Sequence, residues 1–419
     1  MRICCSKEAV TKVQAAIIIV IIVAAAVGGG LYYYYYVQGP AAEIVVGASL
    51  PLTGDLSQEG SYFKRSYELA VEYYNNRSGM LGKRIKLIIE DDHSDPSTTT
   101  TVYEKLITQY GARVLLGPVG SSCTFSAAAV AEKHKVIIIS SYAASEKLYT
   151  QGWKYHFGVI ACPLFSASWS APFLYFLANF SKWAPEGAPP VEKIAIIGLN
   201  NPFGKDAVER DLNISEQLGF EVVLSEYYSP DITDFTPLLT KIKAANPDAL
   251  IAVNYYHDSL LLARQIAEQR VSLKAIWMGT GPDMPEWIEE LGSLAENYFG
   301  CVTWPKTWKL GGADEFRSIF KKRFGEDPTL YDAWAFGAVQ VLVEAVNRAG
   351  SLDADAIRNV LLTQEIETVH CKAKFAPEGY NTLYYGTLIG QVQNGTLVAV
   401  WPPDIKEADP IYPMPPPWE

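Results

Sequence analysis

Two adjacent serines, Ser121 and Ser122, have the chemistry and the position to bind an anion. They follow a short apolar stretch that ends at Gly117, and a helix is predicted over 123–134. Hydroxyl groups and free backbone N–H groups meet at such a helix N-terminus, where the helix dipole also favours negative charge. The carboxylate of a small ligand fits this pattern, although serines at this position also serve as plain N-caps.

Nucleophilic catalysis would need a base beside these serines, and no motif supplies one. The sequence has no G-x-S-x-G and no H-E-x-x-H motif, and its five histidines are scattered. Segment 198–205 resembles a phosphate-binding loop but has five residues between its glycines, and Asp206 replaces the Ser or Thr that binds magnesium. No G-x-G-x-x-G follows the first strand. We therefore expect neither an enzyme nor a cofactor, and an extracellular hydrolase is the weaker alternative.

A run of acidic residues at 90–95, which includes His93, has two interpretations. Carboxylates and a histidine are suitable metal ligands. The same residues lead into a predicted helix over 97–110, where Asp95 suits the N-cap and Pro96 suits the first turn. The capped loop is the favoured interpretation, so no metal site is expected.

The elements that must position these side chains alternate between strand and helix. Continuous runs of β-branched residues separated by helical segments indicate parallel sheets that are covered on both faces. Two such blocks of similar size predict two doubly wound α/β lobes, with ligands bound at the carboxyl ends of the strands. The predicted strands are 44–50, 84–90, 113–117, 136–140, 193–198, 220–227, 248–253 and 274–278.

The remaining segments have weaker patterns. Residues 155–190 predict a long aromatic helix and then a joint rich in Pro and Gly. Section 297–401 predicts a strand, three helices and two late strands, and Trp334 begins a core-facing stripe on the helix from Tyr331. Residues 402–419 contain seven prolines and predict an extended tail that does not pack.

The N-terminal segment predicts a membrane anchor. Residues 13–37 form a stretch of 25 residues without a charge, enough to span a bilayer, and five tyrosines close its C-terminal end. Basic residues precede it, so the positive-inside rule assigns residues 1–12 to the cytoplasm. Residues 38–42 then form a short linker to a part outside the cell or in the periplasm. A cleaved signal peptide is the alternative.

The part after the anchor has the features of an extracellular protein. Its acidic character, with a formal net charge of −11 for the whole chain, excludes a general nucleic-acid binder. The four cysteines of this part are too widely spaced for a zinc ribbon, and they allow either disulfides or buried free thiols. They are Cys123, Cys162, Cys301 and Cys371. The asparagines of N-x-S/T sequons, which predict glycosylation, are Asn76, Asn179, Asn213 and Asn394.

Several segments resemble the type I periplasmic binding proteins of the leucine/isoleucine/valine-binding class. Pro51-Leu52-Thr53-Gly54 after the first strand is similar to the opening of that family, and segment 117–124 (GPVGSSCT) resembles its G-x-x-x-S-S-x-T motif. Residues 234–238 (DFTPL) and 246–248 (NPD) match its second lobe. The resemblance runs from about residue 43 to residue 401, and it implies two lobes that close on a solute by a hinge.

The resemblance also implies boundaries for these lobes and a partner. Three hinge crossings would fall near 158–161, 301–305 and 373–378. Lobe 1 would then comprise 43–159 and 303–374, and lobe 2 would comprise 160–302 and 375–401. The family delivers small solutes to the permease subunits of ABC importers, so a monomeric solute-binding protein is expected.

Site residues carry over from the family position by position. Ser121 and Ser122 correspond to the residues that hold the ligand carboxylate. The second carboxylate-binding turn matches 142–145 (YAAS), although Ala144 stands where a hydroxyl is common and Ser145 lies next to it. Phe203 and Tyr256 correspond to aromatic residues that cover the ligand. The implied binding set is therefore Ser121, Ser122, Tyr142, Ala143, Ala144, Ser145, Phe203 and Tyr256.

The sequence departs from the family at the residue that pairs with a ligand ammonium. Gly281 stands near the position where the amino-acid binders have a carboxylate, and Asp283 lies two residues further on. A buried ammonium without a partner costs several kcal/mol. Asp283 therefore replaces the missing acid, or Glu59 at the mouth of lobe 1 does, or the ligand is a carboxylate without an amine.

These features predict an anchored extracellular solute-binding protein of an ABC importer. Its solute is expected to be a branched-chain amino acid or a related small carboxylate. One alternative is a sensory ectodomain of the same fold, and another is a binder of an aromatic or short-chain carboxylate or an amide.

Overall fold

The structure is a computed structural model that describes residues 23–25, 43–160, 170–302, 304, 308–383 and 388–418. Within these residues the chain forms two parallel-strand sheets with helices packed on them, as the alternation of apolar runs predicts.

The first sheet has five parallel strands in the order β2-β1-β3-β4-β5. Its interior strands are apolar on both faces because helices cover both sides. The strands are β1 (Ile44–Leu50), β2 (Ile85–Asp91), β3 (Val114–Leu116), β4 (Ile138–Ser140) and β5 (His156–Gly158), and the intervening helices are α1 (Ser57–Asn75), α2 (Pro96–Thr108) and α3 (Ser121–His134).

The second sheet has seven strands in the order β14-β13-β10-β9-β8-β6-β7. Strands β6 to β10 are parallel, and the two late strands β13 and β14 extend the sheet in antiparallel fashion. The strands are β6 (Lys193–Leu199), β7 (Glu221–Tyr228), β8 (Ala249–Val253), β9 (Ala275–Met278), β10 (Phe299–Val302), β13 (Leu388–Gln393) and β14 (Thr396–Trp401), after the small hairpin of β11 (Ile366–Glu367) and β12 (Lys372–Ala373).

The remaining helices divide between the two sheets, and the chain passes between the sheets three times. After β10 it returns to the first sheet, where the buried helix Leu330–Ala349 packs against α1 and strands β3 and β4. We call the part built on the first sheet the first lobe and the part built on the second sheet the second lobe. The helices are α4 (Ala171–Ala178), α5 (Pro202–Leu218), α6 (Thr236–Ala245), α7 (Tyr256–Glu268), α8 (Pro285–Leu291), α9 (Ala313–Phe324), α10 (Leu330–Ala349) and α11 (Ala354–Thr363).

The loop before α2 is a capped helix start, which confirms the favoured interpretation of the acidic run. Asp95 is the N-cap and its side chain accepts a hydrogen bond from the Thr98 N–H at 2.6 Å, while Pro96 occupies the first turn. No group of three or more metal-ligating side chains occurs within the described ranges. The loop that resembles a phosphate site is also a helix start, where the Asn201 side chain caps α5.

The predictions for segment 155–190 and for the N-terminal residues 1–42 have different outcomes. The long aromatic helix predicted in 155–190 is wrong, since residues 156–158 are strand β5 and α4 comprises only Ala171–Ala178. None of the described helices has the length and hydropathy that crossing a bilayer requires. The predicted anchor 13–37, apart from residues 23–25, lies outside the described residues, as do the cytoplasmic segment 1–12 and the linker 38–42.

The predicted modification sites differ in exposure. Asn76, Asn213 and Asn394 are exposed, whereas Asn179 is half-buried and its side-chain amide donates to the Tyr175 carbonyl at 2.8 Å. Glycosylation stays a prediction. Cys123 and Cys371 are buried free thiols, and Cys162 lies outside the described residues.

The C-terminal segment packs on the second lobe, so the prediction of an unpacked tail is wrong. Tyr412 is buried, its ring contacts Trp183 and Phe180, and its hydroxyl donates to the Pro189 carbonyl at 2.6 Å. The backbone of Ile411 exchanges hydrogen bonds with the Gln391 side chain. A proline-rich chain needs few internal hydrogen bonds, so a few aromatic and amide contacts are enough to hold it.

Tyr412→Ala is expected to lower the free energy of unfolding by about 3 kcal/mol, because it removes a buried ring and a hydrogen bond from this contact. Ile411→Ala is the matched control, since the Ile411 side chain is exposed and its loss should cost less than about 1 kcal/mol. Thermal unfolding of both variants measures the difference. Equal midpoints for the two variants would contradict a packed tail.

Candidate functional site

A cavity of about 370 Å³ lies between the carboxyl ends of the two sheets. Its walls follow β3, β4 and β9 in the chain, which is where open α/β sheets bind ligands. Asp283 is the only acidic or basic side chain among its described lining residues. The lining residues are Ser121, Tyr142, Ala143, Ala144, Ile160, Phe203, Tyr255, Gly279, Thr280, Asp283, Tyr331 and Trp334.

One part of the cavity wall is formed by the N-terminus of α3. Gly120 precedes the helix with a φ of 87°, and a side chain there would meet Leu56 at 3.0 Å, so the turn requires glycine. Ser121 is the first helical residue, and its buried hydroxyl accepts a hydrogen bond from the Ser145 N–H at 3.2 Å. The first N–H groups of a helix have no partner within the helix, so this end can receive a carboxylate.

The turn after β4 forms the neighbouring wall. Tyr142, Ala143 and Ala144 line the cavity, and the Gly120 N–H donates to the Tyr142 carbonyl at 2.9 Å, which ties this turn to the start of α3. Ser145 points elsewhere, because its hydroxyl donates to the Asp206 carboxylate of the second lobe. Neither Ala144 nor Ser145 therefore offers a hydroxyl to the cavity.

Aromatic rings enclose the middle of the cavity. Phe203 stacks on Tyr255 with centroids 5.4 Å apart, and Tyr142 lies 5.6 Å from Tyr331 and 5.9 Å from Trp334. Tyr331 and Trp334 come from α10, and their spacing of three residues puts both rings on one face of that helix. Such walls favour an apolar or aromatic ligand body.

Asp283 provides the acidic part of the cavity wall. Its carboxylate accepts hydrogen bonds from the Gly281 N–H at 2.9 Å and from the Tyr331 hydroxyl at 2.7 Å. Removal from bulk water raises the pKa of Asp283 to about 6, while these two hydrogen bonds oppose the rise. The cavity therefore offers hydrogen-bond donors that can bind an anion, and one carboxylate that can pair with a cation.

Comparison with known proteins places this geometry in a family. A family model described as periplasmic binding protein matches residues 43–396, which is most of the chain. The chain belongs to the periplasmic binding protein family. The prediction of a type I member of the leucine/isoleucine/valine-binding class is confirmed.

Individual relatives and solved structures agree with this assignment. The Leu/Ile/Val-binding protein homolog 7 of Brucella abortus is 25% identical over 375 residues, which are 86% of this chain and 92% of that protein. The leucine-binding protein LivK of Thermotoga maritima has a TM-score of 0.76 at 22% identity, over 86% of this chain and 99% of that one. A solute-binding protein of an ABC transporter from Rhodopseudomonas palustris, in complex with 3,4-dihydroxybenzoic acid, has a TM-score of 0.71 at 20% identity, over 85% and 95%.

The structure brings together six of the eleven binding residues that the sequence predicted. Those that line the cavity are Ser121, Tyr142, Ala143, Ala144, Phe203 and Asp283.

Among the other predicted binding residues, Ser122 and Tyr256 lie one position away from lining residues. Ser122 lines a neighbouring crevice instead. Tyr255 takes the place predicted for Tyr256, because successive residues at a helix start point about 100° apart.

Gly281 lies just outside the cavity of this periplasmic binding protein and shapes the turn that carries Asp283. Its φ is 136°, and a Cβ atom there would lie 2.7 Å from the Trp287 ring. No L-residue fits that space without moving the ring, so this conformation of the turn does not accommodate a carboxylate at residue 281. Asp283 therefore carries the acid from two residues further along the turn.

Glu59 is fully buried between the lobes but does not line the cavity. It lies in the first turn of α1, and neither of its carboxyl oxygens makes a hydrogen bond of normal geometry within the described residues. Burial raises the pKa of Glu59 to about 8.

Sequence reasoning missed six lining residues, namely the two from α10 and Ile160, Tyr255, Gly279 and Thr280. Trp334 was predicted as core, and nothing in its local pattern distinguishes a core ring from a cavity wall. Tyr331 and Trp334 follow Asp283 by about fifty residues and come close to it only because the chain returns to the first sheet.

The two lobes are held together by polar contacts on both sides of the cavity. On one side, the Gln58 amide and the Tyr62 hydroxyl of the first lobe donate to the Glu286 carboxylate of α8. On the other side, Asp206 of α5 accepts from Ser145 and pairs with the Lys147 ammonium at 3.0 Å. These contacts join the two lobes across the cleft.

Proposed function

We propose that this protein is the substrate-binding component of an ABC importer and captures a small amino acid by closing its two lobes. The observation that carries the proposal is the arrangement of charge in the cavity. Donors at the start of α3, the Asp283 carboxylate and several aromatic rings all line one cavity. A zwitterion with an apolar side chain matches this arrangement.

The carboxylate end rests on Ser121 and the N-terminus of α3. A ligand carboxylate there would accept hydrogen bonds from the Ser121 hydroxyl and from free backbone N–H groups, in the favourable field of the helix dipole. Ala144 adds no hydroxyl, so Ser121 is the principal side-chain donor at this end.

The ammonium end rests on Asp283. A ligand ammonium would pair with its carboxylate, which the Tyr331 hydroxyl orients from the first lobe. Residues from both lobes would then contact one solute, and ligand contacts made across the cleft select the closed state.

Further parts of the proposal extend the site to the whole chain. Residues 13–37 would anchor the protein, with residues 1–12 in the cytoplasm and the lobes in the periplasm or outside the cell. Permease subunits of the importer would be the partner of a monomeric binding protein. The lobes would comprise 43–159 with 303–374, and 160–302 with 375–401.

Calorimetric titration of the full-length protein in detergent micelles tests this function. The solutes are L-leucine, L-isoleucine and L-valine, with benzoate as a carboxylate that lacks an amine. Saturable binding of one of the three amino acids supports the proposal. Binding of none of them would overturn the amino-acid assignment, whatever benzoate does.

Ser121→Ala is expected to weaken binding of the amino acid by about tenfold to a hundredfold, because a hydrogen bond to a charged group contributes about 1.5–3 kcal/mol. Ser122→Ala is the matched control, since Ser122 faces the neighbouring crevice, and its affinity should stay within about threefold of the wild type. The same titration measures both. A larger loss for Ser122→Ala would move the carboxylate to that crevice.

The aromatic walls favour a second candidate, a carboxylate with an aromatic body and no amine. The structural relative from Rhodopseudomonas palustris was solved with 3,4-dihydroxybenzoic acid. Stacking of such a ring between Phe203 and Trp334 would replace the ammonium contact, and Asp283 would then bind as a neutral acid. Tight binding of benzoate without binding of amino acids would favour this candidate.

A further inference from the structure

Glu59 is the acid in the cleft whose environment does not suit a charge. Asp283 has two hydrogen-bond donors, and Asp258 also has two, from the Tyr228 hydroxyl and the Tyr255 N–H. The Glu59 carboxyl group is fully buried and makes no hydrogen bond of normal geometry to any described residue. Burying an ionised carboxylate in this way carries a large desolvation cost.

The groups that surround Glu59 do not compensate this cost. The backbone N–H groups of Glu59 and Tyr256 favour its charged form, but two acids of the second lobe oppose it. None of the groups with the largest influence is a base. The titratable groups that face it are Asp258, Tyr255 and Tyr256 from the start of α7, Asp283 from the turn after β9, Tyr142 from the turn after β4 and Tyr331 from α10.

The burial of Glu59 depends on the cleft being closed. Glu59 belongs to α1 of the first lobe, whereas Tyr256, Asp258 and Asp283 belong to the second lobe. Its neighbour Gln58 makes a cross-lobe hydrogen bond to Glu286, so this turn of α1 lies on the surface that the second lobe covers. Opening the cleft would return the Glu59 carboxyl group to water.

We propose that Glu59 couples closure of the lobes to the uptake of one proton, so that it is a carboxylate in the open protein and a neutral acid in the closed one. This inference rests on the proposed function in that closure is the step that captures the solute. It assigns to the cleft a sensitivity to pH whose main source is Glu59, a residue that does not line the cavity.

The direction of the effect follows from the two environments. The pKa of Glu59 rises from 4.5 to about 8 on burial. Protons therefore favour the closed state throughout this interval, and the ratio of closed to open protein falls by up to tenfold per unit of rising pH. Burial also raises the pKa of Asp258 to about 7, and the crevice that it lines includes Asp55 of the first lobe, so Asp258 adds a response of its own in the same interval. Asp283 adds a smaller response below about pH 6, because its partner Tyr331 lies across the cleft.

Distances between the lobes, measured without solute, test the proposal independently of the amino-acid assignment. Spin labels on p-acetylphenylalanine at Thr100 of α2 and Thr240 of α6, both exposed, leave the native cysteines untouched. Electron–electron double resonance on the full-length protein in micelles then gives the closed fraction. Between about pH 6 and pH 8 this fraction should fall steeply in the wild type and clearly less steeply in Glu59→Gln, which keeps only the response of Asp258.

Two further variants separate this coupling from other causes. Glu59→Met replaces the acid by an apolar chain of similar length and should reduce the dependence on pH in the same way if Glu59→Gln does not fold. Glu286→Gln weakens a cross-lobe contact and should lower the closed fraction while it keeps the dependence. A closed fraction that does not change with pH in the wild type would overturn the proposal, as would an unchanged dependence in the foldable Glu59 variant.

Discussion

Asp283→Asn is expected to weaken binding of the amino acid by about a hundredfold or more. Truncating one partner of a buried charge pair costs about 2–5 kcal/mol, much of it because the ligand ammonium is left in the cavity without a counter-charge. Asp283 is the only acidic or basic side chain that lines the described part of the cavity, so no neighbour takes its place. Calorimetric titration of the variant at neutral pH measures the loss.

The pH dependence of the same measurement distinguishes charge pairing from packing. Burial raises the pKa of Asp283 from 3.8 to about 6, so the solute-free site is increasingly neutral below that pH. The ratio of wild-type to variant affinity should therefore be largest above about pH 6 and fall towards one at lower pH. Taking the ratio reduces the contribution of Glu59, whose pKa is lowered in the variant because the Asp283 charge no longer acts on it.

Asp231→Asn is the matched control, because Asp231 is an exposed aspartate of the second lobe. It should leave the affinity unchanged at every pH. If Asp283→Asn binds the amino acid as tightly as this control does, the ammonium partner lies elsewhere. An affinity ratio that stays constant with pH would mean that Asp283 acts through packing alone.

The fold was predictable from the sequence because buried parallel strands have a strong local signature. Runs such as Ile44–Leu50 and Ala249–Val253 are apolar on both faces, and each is a strand of one of the two sheets. The prediction failed where a local pattern suits two structures. The aromatic segment around Ala171–Ala178 has the composition of a long helix, and the proline-rich end has the composition of an unpacked tail.

The site was predictable only in part, for a different reason. Ser121 could be found because a glycine, a serine pair and a helix start lie together in the chain. Tyr331 and Trp334 could not be found in the sequence, because their position in the cavity wall depends on the return of α10 to the first sheet. The choice between Tyr255 and Tyr256 depends on the helix phase at a single residue, which composition does not fix.

Three acids from both lobes meet near the cleft, and each has a different role because each has different partners. Asp283 faces the cavity and is oriented by hydrogen bonds, so it can pair with a ligand. Asp258 caps the start of α7 and serves its own lobe. Glu59 has no such partner, so its charge changes when the lobes separate. Their environments therefore assign the three carboxyl groups to binding, structure and regulation.

A substitution in the turn at Gly281 is also expected to have a large effect, in this case on the stability of the protein. Restoring an acid at the position where the family has one, by Gly281→Glu, should lower the free energy of unfolding by about 2–6 kcal/mol and should not create an ammonium site. A side chain at a φ of 136° is strained by about 1–3 kcal/mol. Its Cβ atom would also lie 2.7 Å from Trp287 and 3.2 Å from Ser259, an overpacking that adds about 1–3 kcal/mol.

The cost is large because Trp287 cannot move aside. Its ring is fully buried and its indole N–H donates to the Ala295 carbonyl at 3.1 Å. A shift of the turn would instead displace the Gly281 N–H, which holds the Asp283 carboxylate. We therefore expect the amino-acid affinity to fall together with the stability, by about tenfold or more.

Gly292→Glu provides the matched control, since Gly292 also has a positive φ, of 56°, but has no atom within 4 Å of the added Cβ. It pays the backbone strain alone, about 1–2 kcal/mol, and should bind the amino acid normally. Thermal unfolding and titration of the two variants separate strain from collision. Rescue of Asp283→Asn by Gly281→Glu would contradict this account, because it would mean that an acid can reach the ligand from residue 281 after all.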